Sequence, residues 1–124
     1  MKKLYVLLVL FSFPAIIFLS CKHDPVLPEH EVSYSQEIQP IIQMGCTHNG
    51  CHGDSFAAMP RLTYYDGLIE HGGIVPGKPH ESEMYQRIIS LDEGERMPQP
   101  PYDPLNDRNQ KLIYIWIAQG AKDN

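Results

Sequence analysis

Basic side chains are scarce in this sequence. Its 124 residues hold 10 Lys and Arg against 15 Asp and Glu, a formal charge of −5. If Lys2 and Lys3 leave with a targeting segment, eight basic and fifteen acidic side chains remain, a charge of −7. Nucleic-acid binding needs a basic face, so that class is excluded. The surplus of acid favours solubility and, if it is more than an ordinary acidic surface, a basic partner. Recognisable hydrolase or phosphate chemistry is missing too: no Ser-His-Asp order, phosphate loop or paired-carboxylate pattern stands out, so an enzyme of those kinds is not expected. Cysteine is sparse and odd in number at three, which rules out a chain held together by paired cysteines alone. Position sorts them: Cys21 ends an apolar leader, while Cys46 and Cys51 form a close pair.

The apolar run from Leu4 to Leu19 is sixteen residues, interrupted by Ser12 and Pro14, and is short for a membrane span. With Lys2 and Lys3 ahead of it, residues 1–20 read as a secretory leader. Phe18-Leu19-Ser20-Cys21 resembles a bacterial lipoprotein cleavage site. The resemblance implies cleavage before Cys21, lipidation of its thiol and new amino group, and a stable anchor made of several acyl chains. It places the protein in the bacterial cell envelope, on the inner or outer membrane, with its domain in the periplasm or at the cell surface. A plain cleaved signal peptide and an uncleaved anchor helix are the other readings. Residues 21–31 are polar, carry Pro25 and Pro28, and read as the lipidated cysteine and an extended tether. His23 and His30 lie there as solvated linker residues, with metal binding second. One domain, residues 32–124, follows.

The domain should open with a helix towards Met44, capped by Ser33 or Ser35, with Ile38, Ile41 and Ile42 on one side. Pro40 kinks that helix or marks its first turn, and Gly45 ends it. Residues 53–62 lack periodicity and read as a loop containing Met59 and Arg61. A short helix over 63–71, capped by Thr63 with Tyr64, Tyr65 and Leu68 inward, stops at Gly72-Gly73. Pro76-Gly77 suits a type II turn. Ser82 or His80 opens a helix carrying Met84, Tyr85, Ile88 and Ile89 on one face, with Arg87 beside it. Four prolines within residues 98–104 then set a stiff non-helical path that can present Met97. Asn106 or Asp107 caps a last helix through Gln119, with Asp107 and Gln110 resembling a capping box. Its run from Leu112 to Ala118 is apolar nearly all round and should be deeply buried, with Gly120 as the left-handed stop.

The stretch carrying chemistry is Cys46-Thr47-His48-Asn49-Gly50-Cys51-His52. It resembles the attachment site of a c-type haem, in which two thiols add to the haem vinyl groups and the following histidine ligates iron. The usual spacing is C-x-x-C-H; here it is C-x4-C-H. A longer loop can still serve if it bulges outward, helped by Gly50. A thioether such as Met97 is a soft, neutral ligand suited to reduced iron.

Several further stretches fall in order: Ile38-Gln39-Pro40-Ile41-Ile42, Cys51-His52-Gly53, Val75-Pro76-Gly77-Lys78-Pro79, Ser82 with Arg87-Ile88, Arg96-Met97-Pro98 and Trp116-Ile117-Ala118-Gln119-Gly120-Ala121. Together they make residues 38–121 resemble the small cytochrome c domain of many exported proteins of Bacteroidetes and Planctomycetes. The resemblance implies one haem c linked to Cys46 and Cys51, with His52 as the proximal and Met97 as the distal iron ligand. Arg61, Arg87 and Trp116 become candidate haem contacts. Met59, His48, His71 and His80 are alternate candidates for the iron. The implied fold is all-α and cytochrome c-like, roughly four short helices around the covalent haem, the first and last packed together. The implied function is electron transfer with redox partner proteins rather than catalysis. Two alternatives stay open. Cys46, His48, Cys51 and His52 could form a zinc site, or Cys46 and Cys51 a disulfide, either of which makes a structural or binding module without a redox centre.

Overall fold

The computed structural model describes residues 24–54 and 60–124. The leader, the lipidation candidate Cys21, His23 and Met59 lie outside the described residues. The described chain is all helical, with no strand among the described residues. A π-helical turn, Tyr34–Ile38, runs into α1, Gln39–Cys46; α2 is Tyr65–His71, α3 is Glu83–Ile89 and α4 is Asp107–Ala118, with a 3₁₀ turn at Pro79–Glu81 before α3.

The first helix begins as expected at Ser33, whose Oγ accepts from Gln36 N at 3.3 Å, while Glu37 Oε2 accepts from Ser33 N at 3.0 Å. Its first turn is wider than an α-turn: the amide of Gln39 donates to Tyr34 O, five residues back. Pro40 follows at once, within the first turn of α1. Having no amide proton, it cannot continue the ladder, and a π-turn just before it absorbs that break. The helix then runs through Gly45 to Cys46, one residue further than its glycine suggests.

α2 differs from expectation. Its cap position is Tyr64, and Thr63 donates its hydroxyl to Asp54 Oδ1 at 3.1 Å instead of capping. Tyr64 is exposed at 64%, outside rather than in the core, whereas Leu68 is fully buried. Tyr65 faces inward and donates its hydroxyl to Ala121 O at 2.8 Å.

The Val75–Lys78 turn closes with Lys78 N on Val75 O at 2.9 Å and Gly77 at φ 81°, the left-handed position a type II turn reserves for glycine. Ser82 stitches this turn to α3. Its buried hydroxyl accepts from Val75 N and donates to Lys78 O, both at 2.9 Å. Losing it would strand a half-buried amide, at a cost of about 1–3 kcal/mol.

α4 starts at Asn106, whose side chain accepts from Asn109 N at 2.9 Å. Gln110 reaches Leu105 O at 2.7 Å rather than forming a capping box with Asp107. Ile113 to Ile117 are all buried, and Gly120 adopts φ 106° at the helix end. α4 packs against the opening π-turn and against α3. Trp116 sits in that seam, its ring 5.7 Å from Tyr34 and its Nε1 donating to Lys122 O at 2.9 Å. A side chain of this size at 1% exposure is worth about 3–5 kcal/mol against alanine.

The two ends of the domain are fastened together. Asn124 Oδ1 accepts from Tyr34 N at 2.7 Å, Val32 N donates to Gln119 Oε1 at 2.8 Å, and Lys122 pairs with Glu31. Gln119 Nε2 donates to His30 O at 3.0 Å. Earlier still, Asp24 meets His80 Nε2 at 2.9 Å.

Candidate functional site

The C-terminus of α1 delivers Cys46 into a compact loop. The amide of Cys51 donates to His48 O at 2.9 Å, and the amide of His52 donates to Cys46 O at 3.1 Å. Gly50 turns the loop at φ 85°. Four intervening residues are thus folded back on themselves, and both cysteines line the same cleft. Both are free thiols, so no disulfide joins them in this structure. Cys46 packs against the core, and burial pushes its thiol up to about 11, with the nearby Cys51 a smaller cause.

His52 Nδ1 lies 2.9 Å from Pro60 O. A carbonyl only accepts, so Nδ1 carries the proton and Nε2 the lone pair. Nε2 has no hydrogen-bond partner among the described residues. Its carbonyl is used as well, accepting from Leu62 N at 3.0 Å. Ring and backbone are therefore fixed by the segment that follows the loop, the arrangement by which a histidine is pre-oriented for a metal.

The cleft measures about 400 Å³ and is bounded by Cys46, Cys51 and His52, by Leu62, by Met84 and Ile88 of α3, and by Met97 with Pro98 and Pro100. Its walls are largely apolar with few polar groups, the composition of a small-molecule or cofactor site. Met97 is held by its amide on Arg87 O at 3.0 Å. The Met97–Pro98 and Pro100–Pro101 bonds are cis.

The other candidates divide. Arg87 lines the cleft, but its guanidinium is engaged by Glu83 at 3.3 Å and by Glu95. Arg61 and Trp116 are not among the cleft-lining residues: Arg61 is exposed and Trp116 belongs to the α4 seam. His71 lines the cleft. His80 does not; it packs against Tyr85 and Tyr114 and meets Asp24. His48 lies face to face with Tyr102, ring centroids 4.3 Å apart at 3°.

Arg96 was not among the candidate contacts, yet its Nη1 is buried with no hydrogen-bond partner among the described residues. A buried cationic donor without an acceptor is costly, and this one stands next to Met97 in the chain. Its sequence signal was only that adjacency.

A haem fits these residues. Two thiols, an imidazole whose Nε2 has no partner among the described residues and a thioether border one largely apolar cleft. Zinc fits less well. No three His, Cys, Asp or Glu side chains gather as a metal-ligand set among the described residues. His48 faces Tyr102, while His52 is oriented by Pro60.

Neither the curated proteins nor the solved structures yield a match to this chain. Residues 48–101 match the family model described as Planctomycete cytochrome C, a span that takes in Cys51, His52 and Met97 and begins just after Cys46. The match and the four-helix architecture agree, and the chain carries a small, all-α cytochrome c-like domain.

Proposed function

We propose that this protein is an exported, membrane-anchored mono-haem c-type cytochrome that transfers electrons, and that His52 and Met97 would ligate its iron. The observation that carries this reading is the His52 ring. Its Nδ1 is committed to Pro60 O, which in the neutral ring leaves Nε2 the lone pair, and the residue lines the cleft that Cys46, Cys51 and Met97 share. Bound there, haem supplies an iron that gains and loses one electron. Cys46 and Cys51 would hold the porphyrin covalently, each thiol adding its S–H across a vinyl group. Pro60 keeps the imidazole in one tautomer and orientation. Met97 would supply a thioether from the same cleft, and iron held by both His52 and Met97 would suit a carrier better than a haem enzyme. Leu62, Met84 and Ile88 exclude water. Arg96, next to Met97 in the chain, would offer its partnerless Nη1 to a haem carboxylate. Cys21 carries the acyl anchor, and the redox partner meets the domain in the periplasm or at the cell surface.

The test is production in a bacterium with haem c maturation machinery, followed by a reduced-minus-oxidised visible spectrum and a haem stain on a denaturing gel. Sharp reduced bands with haem retained on the gel are expected. A colourless product, under conditions that load a control cytochrome, overturns the reading.

A further inference from the structure

The His48–Tyr102 pair joins the two chain segments that furnish the cleft's chemistry. His48 belongs to the loop between the cysteines, where its carbonyl accepts from Cys51 N at 2.9 Å. Tyr102 ends the proline segment that begins at Met97, where its amide donates to Gln99 O at 3.0 Å. The rings lie almost parallel at 4.3 Å, a close stacked contact that favours two planar rings holding each other in register.

What else holds the segment explains why the stack matters. At its start, Met97 N is bonded to Arg87 O of α3. Beyond its end, Leu105 packs so closely on Gly45 of α1 that a Cβ there would stand 2.8 Å from Leu105 Cδ2, and Leu105 O accepts from Gln110 of α4. Between those anchors residues 99–104 are exposed, so little core packing restrains them, and Gln99 Nε2 donates to Gly94 O at 3.3 Å, away from the cysteine loop. The stack is the side-chain contact that ties this stretch to the cysteine loop. His48, the second of the four residues between the cysteines, supplies the ring that makes it.

We infer that His48 and Tyr102 are positioning residues that hold the proline segment, and with it Met97, against the cysteine loop and so keep the sixth position closed. This rests on the reading of Met97 as the distal ligand. The two rings act as one latch between the cysteine loop and the segment that bears the other ligand.

The experiment uses the haem-loaded chain and compares Tyr102→Ala, His48→Ala, the double variant, Tyr102→Phe and Met97→Ala. Three quantities are measured: affinity for added imidazole, the near-infrared sulfur-to-iron charge-transfer band of the oxidised form, and the His48 ring-proton shifts in the reduced form. Either alanine variant should bind imidazole about tenfold more tightly, the order of effect an aromatic pair can exert. The double variant should match the singles, since each removes the same contact. Tyr102→Phe keeps a ring and should behave as the parent. The ring shifts report the stack itself, whatever the ligand. Shifts unmoved by Tyr102→Ala, or imidazole affinity unmoved by both alanine variants while Met97→Ala raises it, overturn the latch. A parent protein without the sulfur band, whose imidazole affinity Met97→Ala leaves unchanged, overturns the ligand reading and the latch with it. Tyr102 is 39% exposed, so its removal leaves the core intact, and His48→Ala tests the same contact from the other segment.

Discussion

The amide of His52 donates to the carbonyl of Cys46 across 3.1 Å, closing a ring of backbone from the first thiol to the imidazole. That bond shows how a longer spacing between cysteines is accommodated: the additional residues turn outward while the ends stay together. Gly50 makes the turn with φ 85°, and no atom lies within 4 Å of where a Cβ would be. Substitution there is opposed by backbone conformation alone. Gly50→Ala should therefore destabilise the protein by about 1–2 kcal/mol, and Gly50→Asn by less. Denaturant midpoints measure both; equal stability of all three proteins would mean that the loop relaxes to another conformation.

On the proposed ligation, Met97→Ala should open the sixth position. With a soft thioether gone, the reduced state loses its preferred ligand and the potential falls, on the order of 0.1 V within the ~0.8 V that axial ligands span. Spectroelectrochemistry reads the shift. An unchanged potential would redirect attention to His71, which lines the same cleft, or to Met59.

Tyr34 packs its ring edge-on to Tyr65 at 5.1 Å and near Trp116, yet its buried hydroxyl has no partner among the described residues. Burial raises its pKa above the ordinary 10.0. A raised value means the folded state holds the proton longer than the unfolded state, so stability is full below pH 10.0 and falls as pH climbs towards the raised value. Tyr34→Phe removes both liabilities. It should gain up to about 1 kcal/mol at neutral pH and soften the alkaline loss, leaving the parts due to Tyr85 and Tyr114, which burial raises as well. Melting curves at pH 7 and above pH 10 decide it.

Cys46 gives a pH prediction for protein prepared without haem. Its thiol is pushed up to about 11 from an ordinary 9.0 by burial. Below pH 9 its thiolate should be about a hundredfold rarer than in the unfolded chain, and alkylation slower to match. The rate should climb as pH rises towards 11, and stability contributed by the retained proton is lost over the same interval. Mass-resolved labelling in native buffer and in denaturant measures the ratio, with circular dichroism confirming the native sample is folded. Equal rates would show Cys46 to be open to solvent.

Those features were unevenly visible in the sequence. The Pro76-Gly77 turn and α4 could be read directly, because a left-handed glycine after proline and a continuous apolar run each have one favourable conformation. The all-α class, the pairing of Cys46, Cys51 and His52 in one cleft, and the presence of Met97 there were also legible, through motif order rather than periodicity. The π-turn was not, since Pro40 signals only that a ladder breaks and leaves open how the preceding turn absorbs it. Tyr64 was placed inward by helical spacing, but the helix begins one residue later and that ring falls outside it. Thr63 looked like a cap and instead serves Asp54, nine residues earlier, a choice only the tertiary fold can make. Arg96 and the His48–Tyr102 stack depend on contacts between segments far apart in the chain, for which no local pattern exists.

The fastening of Asn124 to Tyr34, Gln119 to Val32 and His30, and Lys122 to Glu31 has a mechanical consequence. Tension applied to the chain ahead of Asp24 would meet the Asp24–His80 contact first; once that yields, it would enter the domain at these bonds and pass to the end of α4, whose buried residues resist it. Those bonds lie at the Trp116 seam, a helix away from Cys46 and the cleft. Tugging on such a leash would strain the side of the domain remote from its chemistry and leave the cleft undistorted.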